Sequence, residues 1–92
     1  MQVEILTPDK KIFTGEADGV QVPGTMGSFE VLENHAPIIS SLSRGRIRVR
    51  SKGQTLYFEI NSGFIENLNN KVTILTESAK EGSENTPLWR VR

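Results

Sequence analysis

Cysteine is absent from the chain, which excludes disulfides and thiolate-held metals together and suits a reducing compartment. Histidine occurs once, at His35. A metal centre needs further ligands, and no second imidazole, thiol or tight carboxylate cluster accompanies it. Glu30, Glu33 and His35 are near in sequence, but a strand running into a loop would splay them apart. No serine or threonine has a plausible base within reach of a nucleophile motif. No catalytic residue, metal ligand or cofactor is therefore assigned. Excess charge of one sign is also missing: eleven acidic residues balance eleven basic ones, so no overall field draws the chain to nucleic acid or anionic lipid. Long apolar runs are lacking, none approaching the roughly 20 residues of a membrane span, and the opening MQVEILTPDKK is too polar for a secretory signal. The expectation is a soluble domain that another protein would have to hold at any membrane. Helical periodicity is lacking too, since no window in the first half carries apolar residues at i, i+3, i+4 and i+7.

What the chain does contain is strand periodicity broken by turns. Ninety-two residues make one small domain that buries roughly 60–65% of its unfolded surface. Val3 and Ile5 alternate with polar neighbours before Thr7-Pro8-Asp9. Ile12-Phe13, Val20/Val22 and Phe29/Val31 form further short segments. The clearest pair is Arg46–Arg50 with Thr55–Ile60. A loop over Ser51-Lys52-Gly53-Gln54 would set Val49 against Leu56 and Ile47 against Phe58. Arg46 would then stand beside Glu59, and Arg48 beside Tyr57, on the outer face. A one-residue slip would turn every side chain over, so this match predicts the register. A second hairpin joins Phe64–Leu68 to Val72–Thr76 through Asn69-Asn70, residues that tolerate positive φ. Phe64-Ile65 and Ile74-Leu75 place apolar residues on both faces, which predicts either double coverage or a bulge.

The fold expected is all-β, a flattened sandwich of about eight to ten short antiparallel strands over residues 1–79. Residues 80–92 read as a polar tail broken by Gly82 and Pro87, ending in Leu88-Trp89-Arg90-Val91-Arg92, with Trp89 folding back or touching a neighbour.

Two stretches invite a chemical reading. Pro23-Gly24-Thr25-Met26-Gly27 has the glycines of a phosphate loop but neither the lysine nor the following helix, so it reads as a turn and edge loop, with no nucleotide binding expected. Arg44, Arg46, Arg48 and Arg50 alternate into an outward stripe that, with Tyr57, could hold single-stranded nucleic acid through charge and stacking. Glu59, the neutral total and the scarcity of aromatics favour instead a stripe paired with neighbouring acids. Nucleic-acid binding stands as the alternative function.

An ordered set of motifs carries a resemblance: Phe13-Thr14-Gly15, Val20-Gln21-Val22-Pro23-Gly24, Gly27, His35-Ala36-Pro37, Leu42, Gly45-Arg46-Ile47-Arg48, Ser62-Gly63-Phe64-Ile65-Glu66 and Val72-Thr73-Ile74-Leu75. Over residues 1 to about 79 the chain resembles the N-terminal β-domain of the epsilon subunit of F-type ATP synthase. That resemblance implies a flattened sandwich of about ten strands and a non-catalytic part of the central stalk, linking the gamma subunit to the membrane c-ring. It further implies a peripheral place on the cytoplasmic face of the bacterial plasma membrane. The family's ring-facing loop matches Met26, Gly27, Ser28, Phe29 and Glu30. Its His-Ala-Pro element, in the region that meets gamma or the stalk, matches His35, Ala36 and Pro37. Two departures stand out. Ser28 occupies a position often acidic in relatives, leaving Glu30 to supply the ring-facing charge, and Glu33-Asn34 replaces a common Pro-Gly. Most relatives continue into a C-terminal helical hairpin that can inhibit ATP hydrolysis. Nothing after Ser78 has the length or period for one, so inhibition by that route is not expected.

Overall fold

The computed structural model describes residues 1–82. Ten strands account for most of them: β1 (Gln2–Leu6), β2 (Lys11–Glu16), β3 (Gly19–Gly24), β4 (Gly27–Leu32), β5 (Ile38–Leu42), β6 (Gly45–Ser51), β7 (Gln54–Ile60), β8 (Gly63–Leu68), β9 (Lys71–Thr76) and β10 (Ala79–Gly82). No helix occurs among the described residues, and so none is long and apolar enough to cross a membrane.

The predicted hairpins form as read. In β6–β7, Arg46 faces Glu59, Ile47 faces Phe58, Arg48 faces Tyr57 and Val49 faces Leu56. The ladder closes one pair further than expected, at Ser51 and Gln54, leaving Lys52-Gly53 as a two-residue turn with φ of 53° and 76°. Positive φ at both positions is the type I′ geometry that follows strand twist. In β8–β9, Asn69 and Asn70 take φ of 52° and 62°. Ile65 faces Ile74 on the buried side and Phe64 faces Leu75 on the other. The ladder runs through without a bulge, and Phe64 and Leu75 remain 60% and 53% exposed. Neither double coverage by the described residues nor a bulge explains the double apolar pattern; an uncovered apolar face does.

The strand order is β10-β7-β6-β3-β5-β8-β9-β1-β2, with β4 on the other side of β3. One edge of β3 pairs along its length with β4, while the opposite edge is shared between β6, at Gly19–Gln21, and β5, at Gly24. The sheet folds over at that shared edge. It places β4, β3, β6, β7 and β10 in one layer and β5, β8, β9, β1 and β2 in the other. Val3, Ile5, Val20, Val22, Val31, Ile47, Val49, Ile65, Val72 and Ile74 are wholly buried between them. Phe13 of β2 meets Phe58 of β7 across the seam, with centroids 5.7 Å apart and planes tilted by 55°. This tilted arrangement is one that aromatic quadrupoles favour.

Three details depart from the reading of the sequence. The strands are not all antiparallel: β1 runs parallel to β9, from Gln2 beside Lys71 to Leu6 beside Leu75. Nothing local encodes this, because the partners lie at opposite ends of the domain. Next, β10 continues the sheet past residue 79, pairing Ala79–Gly82 with Tyr57–Ile60. Its polar sequence suits an exposed edge strand. Finally, Glu59 keeps its predicted partner Arg46 but is only 3% exposed. Strand β10 lies against it, a Cβ on Gly82 falling 2.9 Å from Glu59 Oε2. The expectations for Trp89 and the terminal Leu88–Arg92 lie outside the described residues.

Candidate functional site

The β3–β4 hairpin closes at Gly24 and Gly27, leaving Thr25-Met26 as its tip. Gly27 has φ of 126°, a conformation closed to most side chains. The tip is tied to the second layer: Thr25 N–H donates to Ser41 O at 3.1 Å, and the two hydroxyls stand 2.8 Å apart. On this fixed support Met26 is 99% exposed. Its side chain is a large apolar group in open solvent, on a tip whose backbone is tied in place.

The five residues matched to the ring-facing loop divide by strand alternation. Met26, Gly27 and Ser28 are exposed at the tip, whereas Phe29 turns inward and packs on the core beneath it. Glu30 faces outward, opposite Gln21 in mid-hairpin, and its carboxylate accepts from Arg50 Nη2 at 2.7 Å. It is therefore engaged within the domain. Its partner belongs to the arginine stripe, whose Arg48 guanidinium donates to Gln21 Oε1 and whose Arg46 lies 5.8 Å above the Tyr57 ring.

His35, Ala36 and Pro37 are exposed at the opposite end of the hairpin, where His35 N–H donates to Leu32 O at 3.1 Å. The length of β4 separates them from the tip, about 17 Å at the usual rise. The structure thus does not gather the two matched groups into one patch. The His-Ala-Pro segment is shaped from beneath by Asn67, which is 2% exposed and whose Nδ2 donates to His35 O at 3.0 Å and Ala36 O at 3.1 Å. Asn34 takes φ of 64° and donates its N–H to Asn70 Oδ1 at 2.8 Å, so the left-handed turn is made without glycine. Reading the sequence missed Asn67. Its signal was a polar residue in register with inward-facing Ile65 on β8.

A second feature also went unread. Leu6, Pro8, Leu42, Phe64 and Leu75 line an apolar groove of about 500 Å³. Ser41, which holds the hairpin tip, lines it too, so tip and groove share one end of the sandwich. Among the described residues, no group of three or more His, Cys, Asp or Glu side chains gathers to hold a metal.

A folded-over ten-stranded sheet with an exposed apolar tip and a groove beside it is a β-sandwich domain. The chain belongs to the ATP synthase delta/epsilon chain β-sandwich domain family, whose description matches residues 1–82. It is 40% identical over 83 residues to an ATP synthase epsilon chain of Pelotomaculum thermopropionicum, covering 90% of this chain and 62% of that one. It is 42% identical over 82 residues to that of Maridesulfovibrio salexigens, covering 89% and 58%. The chain thus spans about three fifths of the length of these relatives. Its fold matches a chain in the cryo-EM structure of the Euglena gracilis mitochondrial ATP synthase OSCP/F1/c-ring assembly, with a TM-score of 0.80 at 23% identity over 86% of this chain and 51% of that chain. It also matches one in the Tetrahymena thermophila mitochondrial ATP synthase central stalk and c-ring, with a TM-score of 0.74 at 13% identity over 99% and 76%.

Proposed function

We propose that this chain is a non-catalytic rotor subunit of an F-type ATP synthase, joining the gamma subunit to the membrane c-ring so that ion-driven rotation reaches the catalytic sites. Family membership supports this, as do the central-stalk and c-ring assemblies that hold its structural neighbours. The observation that carries the reading is the pairing of a fixed, fully exposed Met26 with an apolar groove at the same end. A joint under torque needs contact residues whose positions are set by strands rather than by mobile loops.

In this reading Met26, Gly27 and Ser28 touch the ring, Phe29 props them from below, and Glu30 is held by Arg50. Gamma covers the apolar groove, since permanent interfaces bury apolar surface. The His35, Ala36 and Pro37 segment gives gamma or the stalk a second hold at the far end. This role calls for no cofactor, no nucleotide and no entry into the bilayer. It is a peripheral part of a membrane-associated complex, on the cytoplasmic face of a bacterial plasma membrane. The nucleic-acid alternative gains no support from the family match or from the structural neighbours.

Co-purification with gamma from the same source tests the reading. The expected result is a stable complex that Phe64→Glu disrupts while the isolated domain keeps its melting temperature. Absence of a complex, or one indifferent to that substitution, overturns the assignment.

A further inference from the structure

We propose that the cleft beside the β3–β4 hairpin is a binding site for a phosphate-bearing anion. This inference is independent of the rotor reading and concerns the outer face of β3, β6 and β7. Between the hairpin and the Ser43–Arg48 segment lies a cavity of about 620 Å³, lined by Arg44, Arg46, Arg48, Tyr57, Ser28 and Ser43 among others. None of the described lining residues is acidic. The outward carboxylate of β4, Glu30, is engaged with Arg50, which is not among the lining residues. Arg48 is exposed, and the acceptor of its guanidinium is the neutral amide of Gln21. Among the described residues, no carboxylate pairs with its charge.

Guanidinium groups present several N–H donors in a flat fork that matches two oxygens of one phosphate. Hydroxyls of Ser28 and Tyr57 add donors around the rim. Much of the wall is strand, so the donors are placed before a ligand arrives: the Arg48 guanidinium is held on Gln21 Oε1, and Arg46 lies over the Tyr57 ring. The cavity is larger than one inorganic phosphate needs, which suits a diphosphate or the headgroup of an anionic phospholipid. Both sources offer the same chemistry to Arg48.

Heteronuclear NMR of the 92-residue chain, titrated with inorganic pyrophosphate at constant ionic strength, provides the first arm. Saturable shifts are expected at Gln21, Ser28, Ser43, Arg46, Arg48 and Tyr57. Flotation with phosphatidylglycerol vesicles, against phosphatidylcholine vesicles, provides the second. Arg48→Gln should weaken binding at least tenfold in whichever arm shows it. Arg50→Gln removes the same charge outside the cleft and should change binding less than twofold. Pyrophosphate binding without vesicle binding assigns a soluble phosphate compound, and phosphatidylglycerol-selective flotation assigns a lipid headgroup. Absence of binding in both arms overturns the site, as does binding that the two variants weaken equally.

Discussion

Phe58 sits at the seam of the two layers, 3% exposed and in ring contact with Phe13. Phe58→Ala removes that contact and opens a cavity that flanking strands cannot fill, so a loss of about 3–5 kcal/mol is expected in urea unfolding. Its inward direction was readable from the alternation of Leu56, Phe58 and Ile60. Gly63 is a residue whose constraint was not readable. A Cβ there would stand 2.4 Å from Leu75 O on the neighbouring strand. A backbone oxygen cannot swing away as a side chain can. Gly63→Ala is therefore expected to cost about 1–3 kcal/mol by the same measurement, the range for forcing volume into a packed site. Glu59 makes the same point in reverse. Period-two alternation assigns it to the outer face, and it is on that face, but β10 then lies against it. That neighbouring strand is too polar to be recognised as one in the sequence.

Registers between consecutive strands were legible because both halves of the signal are local. In β6–β7, apolar positions must meet apolar positions across a short turn, and only one alignment achieves it. The His35–Pro37 segment shows where that ends. Its position in the chain was plain, yet its shape depends on Asn67, a strand and a turn away. Asn67→Ala removes donors from two carbonyls that can still reach water, so the loss should be modest, about 1 kcal/mol. The more telling readout is local: backbone shifts of His35 and Ala36 should move far more than those of the β6–β7 hairpin. Equal movement in both would mean that Asn67 supports the core rather than the segment. The β3–β4 tip needs no such distant donor for its shape, because Gly27 supplies the required φ itself; its tie to Ser41 fixes where it points.

At the scale of the molecule, the all-β class and the strand count were legible, while closure was not. The parallel β1–β9 pair and the division of one β3 edge between β5 and β6 join segments remote in sequence. No short-range pattern marks either. Those same pairings decide where the surfaces lie. They set the Met26 tip and the apolar groove at one end and the His-Ala-Pro segment at the other, so the rotor reading becomes a claim about two separable attachments. Met26→Asp alters a side chain in open solvent and should shift stability by no more than about 0.5 kcal/mol. In an epsilon-depleted synthase reconstituted with the chain, it should lower coupled ATP synthesis several-fold while leaving the complex with gamma intact. His35→Ala should do the opposite, weakening the hold on gamma or the stalk with little effect at the ring. The two sites lie about 17 Å apart and no hydrogen bond joins one to the other. Their costs in assembly free energy should therefore add within about 0.3–0.5 kcal/mol in the double variant. Strong non-additivity would mean that the plate flexes between its ends, and a stiff coupling element would then be the wrong description.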